Sequence, residues 1–486
     1  MKRVFTILTA LFFSAGAWAQ QEPGTSFTLE QCIQYALDNS IAARNAELDQ
    51  RIAKAKVNET VGIGLPQISG SASVTHNQKL QRFFTTYAAP TPENPSGGFI
   101  DLSGVPGIQN GDVVAAQNFF QLKSAGTASV AINQILFNGS YLVGLKASKT
   151  YTELSQRAAE QTDQDIIQQV TKAYYSVLIN KERAKLFTDN IARVDTLLRN
   201  TSALNQNGFA EAIDVDRVKV TLNNLRSERD KFLNLNDLSL QLLKFQMNYP
   251  MEKTIDVVGD IQDVEIDTNL LNSKEAVDYR NRPDFKVLEV NRRLQELNIK
   301  NKYAESMPTL SAFANLGVMT QSPNVSGLFK TNSKIEDFGG VGPDKWYDYN
   351  QFGVNLTVPL FSGLQRHYRT QQEKIKLIQI DNNVVNLKRA IDFEITQTSV
   401  NFDNALKSLV AQKENQELAA NIARVTKVKY EQGVGSSLEV TDAENSLRTA
   451  QTNYYAALFD AMVAKVDLDK AYGRLLPAAS SPTNSK

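Results

Sequence analysis

Few residues in this chain could do covalent or metal chemistry. His76, His367 and the single cysteine, Cys32, are the only soft ligands in 486 residues. A hydrolytic centre pairs its serine or cysteine with a base, and a structural zinc takes four nitrogen or sulfur ligands. With the two histidines far apart in sequence, this inventory points away from both, so no enzyme and no cofactor is expected. One cysteine also forbids an internal disulfide or a CxxC redox pair, and Cys32 reads as a small buried apolar residue. The 52 basic residues balance 52 acidic ones and the pI is near 6.8, so the footprint of a nucleic-acid binder is missing. One acidic side chain has a local role: Ser436-Ser437-Leu438-Glu439 fits a capping box, with the glutamate answering an N-cap serine.

The elements that would carry such groups are spelled out twice. Residues 1–19 hold Lys2 and Arg3, an apolar run, and Ala17-Trp18-Ala19, the pattern of a secretory signal peptide. No cysteine follows it to take a lipid. Beyond it no run of about 18 apolar residues occurs, so a helical membrane span is not expected. An internal repeat covers most of the rest. Leu65-Pro66-Gln67-Ile68-Ser69 matches Met307-Pro308-Thr309-Leu310-Ser311 at an offset of 242, as Asn39 matches Asn281. Leu136-Phe137-Asn138-Gly139 matches Leu360-Phe361-Ser362-Gly363 at 224, and Asn207-Gly208 matches Gln432-Gly433 at 225. The length difference falls in one loop, longer in the first copy.

Each copy reads as helix, strand, long loop, strand, long helix, glycine turn and return helix. The boundaries place repeat 1 at residues 20–250, with strands about 66–78 and 125–137, a long helix 140–205 and a return helix 212–247. Repeat 2 runs 251–475, with strands about 308–320 and 350–361 and helices 364–432 and 437–475, before a tail at 476–486. The leading helices start near Leu29 and near Lys274 and stop at Pro66 and Pro308. Ala184, Phe187, Ile191, Val194 and Leu198 step by three and four residues, a narrow heptad-like seam. At 1.5 Å per residue each long helix would reach about 100 Å. Gly208 and Gly433 permit the positive φ with which such a rod turns back.

After each proline the period changes to two. Phe352, Val354, Leu356 and Val358 alternate with Gly353, Asn355 and Thr357, and Ile68, Gly70, Ala72 and Val74 do likewise. Four strands of membrane-crossing length per chain result. Phe83, Phe84, Tyr87, Phe119, Phe120, Trp346, Tyr347 and Tyr349 collect at the edges of the two long loops, as interfacial girdle residues would. The pattern also fits loop packing in a soluble β domain. Four strands cannot close a barrel, and lipid tolerates no open sheet edge, so membranous strands would require oligomerisation.

These doubled landmarks resemble those of the TolC family of outer-membrane efflux and secretion ducts. The resemblance implies a mostly α chain with a transmembrane β-barrel portion: a homotrimer with a twelve-stranded barrel in outer-membrane lipid and an α-helical tunnel in the periplasm. It implies an inner-membrane transporter and a periplasmic adaptor as partners, no nucleic acid, and no cofactor. The adaptor would dock on the hairpin tips, here Asn207, Gly208, Phe209, Gln432, Gly433 and Val434. The periplasmic gate would be an acidic constriction at Glu439 and Asp442, with Tyr430 and Asp214 able to bond across the two hairpins. Gly435 stands where the family often has a lock arginine, and Arg217, at the first-repeat position of Asp442, is expected to pair with an acid. The competing reading is a periplasmic coiled-coil adaptor with a small β domain.

Overall fold

The computed structural model describes residues 26–95, 97, 102, 104–118, 120–259, 261, 278–330 and 346–476. The expected signal segment, Phe119, the helix start near Lys274 and residues 477–486 of the tail lie outside them. The elements in chain order are β1 (Ser26–Phe27), α1 (Leu29–Asn39), α2 (Ile41–Ile63), β2 (Gln67–His76), β3 (Arg82–Thr86), β4 (Val113–Gln117), β5 (Ser124–Phe137), α3 (Gly139–Gln206) and α4 (Ala212–Met247). They continue as β6 (Asp256–Val257), α5 (Pro283–Ala304), β7 (Thr309–Ser322), β8 (Tyr347–Thr357), α6 (Gln365–Glu431) and α7 (Ser437–Ala471). None of the described helices is long and apolar enough to cross a membrane. The chain divides into two compact units, and each takes segments from both sequence repeats.

The smaller unit, residues 54–150 and 294–377, holds a four-stranded antiparallel sheet in the order β2-β5-β7-β8. Register fixes its two faces. Ile68 lies opposite Ile132, Val130 opposite Leu316 and Ala314 opposite Phe352, so one face is apolar. Ser71 lies opposite Ser129 and Asn315 opposite Gln351 on the other. There the Ser71 and Ser129 hydroxyls meet at 3.0 Å, and Ser73 meets Thr127 at 2.8 Å. The polar face also carries two aromatic rings laid over glycines of the neighbouring strand. A Cβ at Gly353 would stand 2.9 Å from the Phe313 ring, and one at Gly317 would stand 2.7 Å from Tyr349. On the apolar face Phe352 is 82% exposed.

Two expectations need correction here. The first long loop contains a further hairpin, β3 paired with β4, in which Phe83 and Phe84 lie opposite Ala116 and Ala115, and Thr85 and Thr86 opposite Val114 and Val113, so each of these pairs includes a β-forming residue. With the parallel pair of β1 and β6, four strands are therefore not the total, although four make the main sheet. The helix from Leu29 is broken at Ser40, whose extended backbone (ψ 146°) ends α1 and whose Oγ accepts the Ala43 N–H, starting α2. The aromatic cluster is mixed: Phe84 and Phe120 are exposed, Tyr87 is buried, and Trp346 covers Gly126 while donating to the Leu328 carbonyl at 2.9 Å.

The larger unit comprises residues up to 53, then 151–293 and 378 onward. Its main core joins α1, α3, α4 and α7 through Cys32, Val170, Val177, Leu243, Met247 and Met462. Buried Arg282 holds three segments together: it donates to Asp284, to Glu394 of α6 at 2.7 Å, and to the Ala471 carbonyl that ends α7 at 3.0 Å. Burying a guanidinium is tolerable only with such complete pairing.

Candidate functional site

Within the larger unit, α3 with α4 and α6 with α7 form two helical hairpins. Ala184, Phe187, Val194, Val218, Leu222 and Phe232 fill the first seam, with Ile191 and Leu198 beside them. The second is built from Ala419, Ala423, Ala443 and Leu447. Both turns use the same termination. The Phe209 N–H reaches the Leu204 carbonyl and the Gly208 N–H that of Asn205; Val434 and Gly433 repeat this on Lys429 and Tyr430. This pair of bonds is a Schellman motif, which needs a left-handed residue at its centre. Gly208 (φ 80°) and Gly433 (φ 76°) supply it. The following side chains are left in the open, Phe209 at 81% and Val434 at 78% exposure, flanked by exposed Asn207 and Gln432. Each tip thus presents one apolar side chain on a polar rim.

Just past the tips the two hairpins differ in charge. Glu439 and Asp442 lie one turn apart on α7, both exposed, and among the described residues neither makes an ion pair. On α4 the corresponding residues are Asp214 and Arg217, which pair with each other at 3.5 Å. Of the expected capping box, the bond from the Glu439 N–H to Ser436 Oγ is present, at 3.2 Å. Glu439 also sits in the first turn, where the helix dipole favours a negative charge.

The bond expected between Tyr430 and Asp214 is replaced by another. Tyr430 Oη lies 3.2 Å from Oγ1 of Thr201, which is wholly buried, while Asp214 turns to Arg217 in its own helix. Further along α3, Arg193 faces Glu444 of α7 at 3.6 Å, and Asn190 donates to Gln451 at 3.3 Å. These ties join the hairpins on the side of the tips, with Gln168 bonded to Asp467 at 2.7 Å and Lys470 to Asp165 at 2.7 Å farther along the same two helices, and sequence reading missed them. Asn190 and Arg193 flank the seam residues Phe187, Ile191 and Val194, the positions from which coiled-coil helices send polar groups to their neighbours. That was the available signal. Among the described residues no group of histidine, cysteine and carboxylates is placed to hold a metal ion.

Comparison with known proteins agrees with this architecture. Residues 32–241 and 279–474 match the family model described as outer membrane efflux protein. The probable efflux pump outer membrane protein TtgC of Pseudomonas putida is 23% identical over 68% of this chain and 64% of its own length. Among solved structures, CusC superposes with a TM-score of 0.67 at 15% identity, covering 91% of both chains. The outer membrane protein VceC from Vibrio cholerae gives 0.64 at 14% identity, over 92% of this chain and 96% of its own. Two hairpins of this length joined to a four-stranded sheet are the fold of those proteins, and the chain belongs to the outer membrane efflux protein family.

Proposed function

We propose that this chain is one stave of an outer-membrane exit duct, a passive conduit for solutes delivered by an inner-membrane transporter and a periplasmic adaptor. The observation that carries the reading is the main sheet: four antiparallel strands, apolar on one face, polar on the other, with β2 and β8 left as open edges. Each unpaired backbone group exposed to hydrocarbon costs several kcal/mol, roughly, so such a sheet is viable in a membrane only when copies of the chain close it. Three copies give a twelve-stranded barrel with the hydroxyl and amide face inward, and the helical unit stands in the periplasm. In this reading the tips at Asn207, Gly208 and Phe209 and at Gln432, Gly433 and Val434 receive the adaptor. Their exposed Phe209 and Val434 offer the apolar contact.

Glu439 and Asp442, repeated around the axis, form the gate. Carboxylates crowded in a ring repel one another and draw in cations. Asp214 and Arg217 stand as a self-neutralised pair on the other hairpin, so the cation preference belongs to α7 alone. Relatives named as efflux pump components, such as TtgC, support the same direction of transport. Reconstitution of the purified protein in a planar bilayer tests the reading. The expected result is a cation-preferring channel from a heat-modifiable oligomer of the outer-membrane fraction, with the preference reduced in Glu439→Gln/Asp442→Asn. A soluble monomer without channel activity would refute it.

A further inference from the structure

Where β7 and β8 give way to helices, the smaller unit contains a cavity that the exit-duct reading does not use. Its volume is about 420 Å³, and its wall includes Lys302, Tyr303, Arg366, His367, Thr370 and Lys374. The geometry points to a binding site for the phosphate-bearing headgroup of an anionic phospholipid, taken from the leaflet at the helical end of the sheet. The inference rests on the sheet lying in a membrane, as proposed above.

Charge comes first. The Lys374 ammonium lies 5.6 Å over the Tyr303 ring, and Arg366 is steadied by the Pro359 carbonyl at 3.2 Å. Neither Lys374, Arg366 nor His367 has a carboxylate partner among the described residues. The nearby acids are committed elsewhere: Glu305 holds Lys302 at 2.6 Å, and Glu373 accepts from Gln295 at 2.7 Å and Lys376 at 2.9 Å. Hydrogen bonds from Gln295 and then Lys376 keep the Glu373 carboxyl below its usual range, so it stays ionised on those partners. The cavity is left with an excess of donors. It is an excess the fold does not require, because the first repeat makes the same strand-to-helix passage with Leu142 and Val143 where the second has Arg366 and His367. Bases in the first turn of α6 also oppose the helix dipole, a cost that a bound anion removes.

Exposed apolar side chains next in sequence to Arg366 and His367 then favour a lipid over a free anion. Leu360 is 92% exposed, Phe361 81%, Leu364 57% and Tyr368 56%. A soluble phosphate gains nothing from these side chains, whereas a phospholipid can lay its glycerol and upper chains against them. The position suits this, since β8 ends at Thr357 and α6 begins at Gln365, placing the basic groups just beyond the sheet's apolar band. Basic pockets at that level of a membrane protein are suited to anionic headgroups.

The test uses the purified full-length oligomer, with lipid retention measured by native mass spectrometry after exchange against cardiolipin, phosphatidylglycerol or phosphatidylcholine. The wild type is expected to keep the two anionic lipids and lose phosphatidylcholine. Arg366→Gln/Lys374→Gln is expected to retain about tenfold less anionic lipid, and Lys413→Gln, exposed on α6 outside the cavity, to match the wild type. Should the double variant not assemble, Lys374→Gln alone is expected to show a several-fold loss. Equal retention of all three lipids overturns the proposal, as does wild-type retention in the cavity variants. Displacement of the lipid by millimolar inorganic phosphate would assign the cavity to a free anion instead. Bilayer conductance of the same preparations keeps the two readings apart: a conducting oligomer without anionic-lipid preference sinks this site alone, whereas a protein that forms no channel sinks the duct.

Discussion

Tyr430 and Thr201 show how much one hydroxyl can decide. Thr201 is wholly buried, so its Oγ1 has the Tyr430 Oη in place of water. A neutral hydrogen bond of this kind contributes about 1 kcal/mol net, and losing one partner from a buried site costs about 1–3 kcal/mol. Tyr430→Phe is therefore expected to loosen the tie between the hairpins without unfolding either one. The result to look for is higher single-channel conductance and greater leakage of bulky antibiotics, at an unchanged amount of oligomer. Unchanged conductance would mean that Arg193 with Glu444, and Asn190 with Gln451, hold the two hairpins together without it. Cys32 illustrates the opposite case, a potentially reactive group made inert by its setting. Burial, with a smaller contribution from Glu30, pushes its thiol up to about 12. At pH 8 only ~10⁻⁴ of it is thiolate, so alkylation of the native protein should be undetectable over hours and complete once the chain is denatured. Rapid labelling of the folded protein would show that the core around α1 opens.

At the scale of elements the two hairpins are held together by different packing. Phe187 and Phe232 stack at 5.3 Å with a 14° interplanar angle, filling the first seam with large side chains. The second is lined mostly by alanines, with Leu447 among them, and Ala423 is buried. Opposite changes in side-chain size should therefore each destabilise the hairpin they touch. Phe232→Ala opens a cavity in the first hairpin and is expected to cost about 3–5 kcal/mol, while Ala423→Leu overpacks the second at about 1–3 kcal/mol. Thermal unfolding of the two variants checks this, and a neutral Ala423→Leu would show that the second seam yields. This contrast also marks where the sequence was legible. Ala184, Phe187, Ile191, Val194 and Leu198 announced their seam because large apolar residues stand out among charged ones. Ala419 and Ala423 did not, since alanine suits either face of a helix. The main strands were readable from two-residue alternation, and Gly208 and Gly433 from the need for a left-handed turn. The ties at Thr201 and Arg193 were not, because periodicity tells which face of a helix is apolar but not which helix, more than 200 residues away, lies opposite.

For the whole molecule the decisive question is how β2 and β8 are completed. Along the order β2-β5-β7-β8 every neighbouring pair is antiparallel, so β2 and β8 themselves run in opposite directions. A second copy can then continue the meander by laying its β2 against this β8, antiparallel again, with apolar face continuing apolar face. A one-residue slip would turn every side chain to the wrong face, so the polar sides of the two strands must meet. In a Cys32→Ser background, paired cysteines replacing Ser69, Ser71 or Ser73 on β2 and Gln351 or Asn355 on β8 place both thiols on the polar face. At the correct register facing Cβ atoms lie about 4.5–5.5 Å apart, close enough for the strands to relax into a disulfide. One of these combinations is expected to give covalent dimers and then a closed trimer on non-reducing gels. A cysteine at Val354, which faces the apolar side, should give none with the same β2 partners. Ladders extending beyond three chains would mean that the edges join without closing, and cross-linking indifferent to face would mean that β2 and β8 do not pair.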